Sequence, residues 1–129
     1  MIKQDYIIRM IQEIISSIAA TLLKKKKTSI DKMNEYNNIT KQLTGMDFTE
    51  LLNIDTNYII NKYSETDDDF SKLELMAVSM ILISDNTEND LLLKARLRQN
   101  GKDLLEYVHH NSKDFSIQRE AIIKMLRIE

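Results

Sequence analysis

At 129 residues the chain is the size of one domain and long enough to bury a hydrophobic core. It has no cysteine and no proline and only two glycines, which excludes a disulfide framework and zinc–thiolate chemistry and removes most of the residues that punctuate β-turns. The formal net charge of −2 asks for neither nucleic acid nor an anionic membrane as a partner.

The chain opens with MIKQDYIIRMIQEIISSIAATLLKKKK, residues 1–27. Lys3, Asp5, Arg9 and Glu13 interrupt the apolar run, and the lysines follow it instead of preceding it. The pattern therefore departs from both a secretory signal and a transmembrane span. At 3.6 residues per turn Ile7, Ile11, Ile14, Ile15, Ile18 and Leu22 form one stripe. Ile8, Met10 and Ala19 widen it to roughly half the circumference, opposite Asp5, Arg9, Gln12, Glu13 and Ser16. The spacing predicts an amphipathic helix over residues 1–24, with Lys24 to Lys27 at the end where cations suit the helix dipole. An arc this wide exceeds what one side of a core requires. It predicts a homodimer seam through Ile7, Met10, Ile11, Ile14 and Ile18.

Capping residues mark the elements that follow. Thr28 and Ser29 precede a helix to about Thr44, with Ile30, Met33, Tyr36, Asn37, Thr40 and Leu43 inward and Gly45 as its stop. Asp47 with Glu50 forms a capping box for a short helix holding Leu51 and Leu52. Asp55 and Thr56 begin another, with Tyr58, Ile59, Ile60 and Tyr63. Ser71-x-x-Glu74 is the predicted start of the apolar helix LELMAVSMILI, and Thr87-x-x-Asp90 that of a long helix to about His110. Ser116 caps a last helix, IQREAIIKML. Leu73, Met76, Ala77, Met80 and Ile81 keep helical spacing, as do Ile117, Ala121, Ile122, Met125 and Leu126, and no period-two strand competes. The expected fold is all-α: a single domain over 1–129 with about six helices stacked as hairpins. Its parts would be the amphipathic helix 1–24, short helices over 28–65, and a hairpin plus a last helix over 70–129.

The segments MIKQDYIIRMIQEI and DFSIQR, with the LTGMD turn between them, resemble an uncharacterised family of small all-helical bacterial proteins, a domain of unknown function. The resemblance extends over most of the chain. It implies a helical fold, distantly similar to tetratricopeptide hairpins in its middle and C-terminal parts, and assigns no catalytic residue. Tyr36, Phe70 and Leu104 share that repeat's spacing, but its small residues and closing proline are missing.

Few residues offer chemistry. Asp67, Asp68 and Asp69 lack the glycine and distal glutamate of a calcium loop, and read as a helix start. Asp85, Asn86, Glu88 and Asp90 read as loop and cap for the same reason. His109 and His110 project about 100° apart on a helix and so do not chelate one ion together. Lys94, Arg98 and Lys102 lie at i, i+4 spacing, as a phosphate-binding face would. No aromatic interleaves them, which favours a salt-bridged face. Gly101, inside a helical pattern, either kinks or shortens the helix or lets another helix approach closely, and close packing is the favoured reading. No phosphate loop, nucleophile elbow or H-E-x-x-H occurs. The sequence therefore predicts a non-enzymatic, cytoplasmic helical protein-interaction module with no cofactor or metal. Its expected partner is a protein or peptide, with no membrane. The alternative is a nucleic-acid-associated regulator using the Lys94/Arg98/Lys102 face.

Overall fold

A computed structural model of the chain describes the backbone of residues 2–128 and the side chains of residues 5–128. Among the described residues there are seven α-helices: α1 Ile2–Leu23, α2 Ile30–Thr44, α3 Phe48–Leu51, α4 Thr56–Lys62, α5 Asp67–Asp85, α6 Leu91–Asn111 and α7 Ile117–Ile128. No strand occurs among the described residues. The expected count of about six is one short, because α3 is a single turn that stands as its own element behind the Asp47/Glu50 capping box.

The organising element is α5. Leu73, Leu75, Met76, Ala77, Val78, Met80, Ile81 and Leu82 are all buried, so its middle is apolar on every side. A helix of that kind sits inside a molecule, not on its surface. It packs most extensively against α6, then against α1, and also against α2 and α3. The outer helix α7 closes on α1 and α6, while α4 rests on α6. Each fully buried leucine or isoleucine contributes about 1.5–3 kcal/mol, and the single core cluster draws on all seven helices.

The ends of α5 correct two expectations. Its cap is Thr66, whose hydroxyl accepts from the Asp69 amide at 3.1 Å. The Ser71-x-x-Glu74 signature lies a turn inside the helix, and the carboxylates of Asp67, Asp68 and Asp69 fill the first turn, where the dipole favours them. Likewise Asp90 caps α6, accepting from the Leu93 amide at 3.0 Å. Thr87 belongs to the preceding helix: its hydroxyl donates to the Ile83 carbonyl at 2.7 Å. The last four carbonyls of α5 are all satisfied. Leu82 accepts from the Asn86 side chain at 2.9 Å and Ile83 from Thr87. Ser84 accepts from Lys94 Nζ at 2.8 Å and Asp85 from Lys27 Nζ at 3.0 Å.

Other signals hold as read. Ser29 caps α2, Asp55 caps α4, and Gly45 ends α2 in the left-handed conformation at φ 84°. Ser116 accepts from the Arg119 amide at 3.1 Å at the start of α7. Ile30, expected to face inward, is 80% exposed, because the first turn of α2 projects past the core.

Gly101 is buried in α6 where that helix crosses α5. A Cβ there would lie 2.8 Å from Ile81 Cγ1 and 2.9 Å from the Ala77 carbonyl oxygen. The missing side chain lets α6 and α5 touch backbone to side chain.

Candidate functional site

A cleft of about 340 Å³ opens at one end of the bundle, between α1, the first two turns of α5, and the segment joining α6 to α7. Its apolar wall comes from Ile8, Ile15, Phe70 and Val108, with Phe115 at the mouth, 65% exposed. Ser16, Ser71, Ser112, Ser116, Gln12 and Gln118 supply much of its polar lining.

Arg119 anchors this cleft. It is buried, at 3% exposure, and its guanidinium reaches three elements at once. Nη1 donates to Glu74 Oε1 at 3.2 Å, Nη2 to the Asp114 carbonyl at 2.6 Å, and Nε to His109 Nδ1 at 3.0 Å. A buried guanidinium requires this degree of pairing, since desolvation otherwise costs several kcal/mol. Burial pushes the Glu74 carboxyl above its ordinary value, against the pull of Arg119, and the nearby Asp114 carboxylate pushes the same way. His109 is lowered, first by desolvation and then by the Arg119 charge. With Nδ1 accepting from Arg119, its ring proton resides on Nε2, so it is a neutral orienting group at neutral pH.

Sequence reasoning passed over this pair, although both partners leave a mark. Glu74 is the lone charge in LELMAVSMILI. Arg119 occupies the third position after the Ser116 cap, where a capping box carries Glu or Gln and the dipole disfavours a cation. Each is a local violation, and such violations gather at sites.

The residues singled out beforehand fall elsewhere. Two residues of the predicted basic face have partners at the end of α5. Lys94 caps the α5 carboxyl end, Arg98 Nη1 pairs with Asp85 Oδ1 at 2.7 Å, and Lys102 is half-buried one turn further along α6. Asp85 thus serves as an ion-pair partner, and His110 Nδ1 lies 2.7 Å from the Glu106 carbonyl of its own helix. Of the predicted dimer seam, Ile11 and Ile18 lie wholly inside the core. Ile7 and Ile14 are half-buried and packed against it, and Met10 is half-buried. The wide arc is shared among α5, α7 and α2, so its width needs no second copy of the chain. By length and composition α1 is apolar enough to cross a membrane over Asp5–Leu23, yet its stripe is the wall of the core. Among the described residues no group of three or more His, Asp or Glu side chains is placed to hold a metal ion.

Comparison with known proteins finds no matching family, no matching curated protein and no matching solved structure.

Proposed function

We propose that the chain is a non-enzymatic helical binding module, and that the cleft above Arg119 receives a polar segment of a protein partner. One observation carries this reading: residues from separate parts of the chain, polar and apolar, line one cleft around a buried charged group whose neighbours fix it. Recognition sites have this composition, with apolar area for affinity and a few fixed polar groups for orientation. The chemistry in the cleft supports binding over turnover. His109 spends Nδ1 on Arg119, and the Ser116 hydroxyl accepts from a helix amide, so neither is a base–nucleophile pair. The nucleic-acid alternative stands second, because Lys94 and Arg98 are engaged with the end of α5.

The test is a photo-crosslinking residue placed at Gln118 on the cleft wall and, separately, at Gln42 on exposed α2. Crosslinks to one discrete partner band from position 118, with none from 42, are the expected result. Equal labelling from both positions, or none from either, would sink the cleft as a partner site.

A further inference from the structure

Ser112, Asp114, Phe115 and Ser116, in the segment joining α6 to α7, form one lip of the cleft. Some of the segment's bonds are local: Ser112 N donates to the Val108 carbonyl at 2.8 Å, and Asp114 N to Ser112 Oγ at 3.2 Å. Two further contacts tie it to the helices on either side. Arg119 Nη2 donates to the Asp114 carbonyl at 2.6 Å, and the Phe115 ring lies against His109 with centroids 5.7 Å apart. Both depend on His109, which carries the Phe115 ring directly and fixes Arg119 through Nδ1 at 3.0 Å. We infer that a proton taken up by His109 unlatches this segment and loosens the lip of the cleft.

The bond between Arg119 and His109 tolerates one protonation state. Arg119 Nε carries a hydrogen and donates, so Nδ1 must offer its lone pair. An imidazolium has no lone pair there. A proton on Nδ1 therefore deletes the acceptor and sets two cations side by side. Arg119 is enclosed, at 3% exposure, and is held on its far side by Glu74 Oε1 of α5. His109 is only half-buried, so the imidazole is the group that swings out. Phe115, 65% exposed, then loses the ring it rests on. The guanidinium is planar, so release at Nε lets the plane tilt and slackens its bond to Asp114.

The surrounding charges set the direction. Burial and then the Arg119 charge hold His109 below its ordinary value of 6.5, so the latch is closed at neutral pH. His110 on α6 and Arg127 on α7 also oppose the proton, and Glu120 on α7 favours it. Arg127 is itself paired with Glu106 of α6 at 2.7 Å. The latch gives way on the acid side.

The experiment is NMR on the full chain from about pH 8 to about pH 4.5, following the His109 ring and the amides of Lys113, Asp114 and Phe115. Those amides are expected to shift with the midpoint of the His109 ring. Their order parameters should fall from about 0.85 to below about 0.6. His109→Asn, whose amide oxygen accepts a hydrogen bond but takes no proton, should abolish the response. His110→Asn should leave it in place, since His110 Nδ1 lies against the Glu106 carbonyl of its own helix. Glu74→Gln should also preserve it, which separates the histidine from a carboxyl that burial raises. The inference is overturned if the His109 ring titrates while the segment stays fixed, or if the ring takes no proton in this range. It is equally overturned if the segment loosens in His109→Asn as in wild type, or holds firm in Glu74→Gln. Should His109→Asn fail to fold, the wild-type midpoints alone decide the matter. The latch belongs to the fold, and only its effect on a partner rests on the cleft reading above. No partner enters these measurements, so the latch and the binding reading fail separately.

Discussion

Glu74 and Arg119 show how a buried ion pair sets a pH response. Burial raises the folded-state value of Glu74 above its ordinary 4.5, so the folded chain holds this proton more tightly than the unfolded chain does. The stability it contributes is complete below about pH 4.5 and is lost as pH rises through the raised value. His109 runs in the opposite sense. Its value is lowered from 6.5, so its contribution is present above pH 6.5 and fades as pH falls through the lowered value. Glu74→Gln removes the first response and leaves the histidine in place. The difference in unfolding free energy between wild type and Glu74→Gln, measured by urea denaturation from pH 4 to 8, should shrink or reverse as pH rises. A difference that stays constant over that range would show that the Glu74 carboxyl is not raised.

Between elements, the tightest constraint is the crossing of α5 and α6 at Gly101. Alanine in a helix interior ordinarily gains about 1 kcal/mol over glycine. Here the added methyl meets the Ala77 carbonyl oxygen at 2.9 Å, and a backbone atom on a buried helix does not yield as a side-chain end would. Overpacking of this kind costs typically 1–3 kcal/mol. Gly101→Ala is therefore expected to lower stability by about 1–2 kcal/mol net, measured by chemical denaturation. An increase in stability would mean that the helices separate freely at this crossing.

Across the whole molecule, what was legible in the sequence was whatever depends on neighbours in the chain. The caps at Ser29, Asp47, Asp55 and Ser116 and the stop at Gly45 are local chemistry, and each stands where its residue type placed it. Gly101 was readable as a close approach, although not what approaches it. The periodic apolar stripes gave the helical class for the same reason. Destinations of charges were not legible. Lys94 and Arg98 keep the spacing of a phosphate-binding stripe, but the carboxyl end of α5 lies beside them in space and takes both. The width of the α1 arc is no guide to its coverage for the same reason, because periodicity measures how much surface is apolar and not how many neighbours cover it. Arg119 and Glu74 lie 45 positions apart, and no local rule pairs them.

The all-round enclosure of α5 also sets the order in which the molecule comes apart. The α2–α4 layer rests on the rest through a thin set of contacts and a few polar ties, such as Ser17 Oγ to Tyr36 Oη at 2.7 Å and Arg96 to the Leu52 carbonyl at 3.1 Å. Regions with sparse packing open at low free energy, whereas an enclosed helix is released only with the whole structure. In native-state hydrogen exchange the amides of Leu75–Leu82 should be the slowest and report global unfolding, while those of Thr56–Lys62 exchange through a cheaper local opening. Equal protection of α4 and α5 would show that the layers unfold together. The cleft above Arg119 draws no residue from α2, α3 or α4, so its walls would persist through that partial opening with three of the seven described helices loosened.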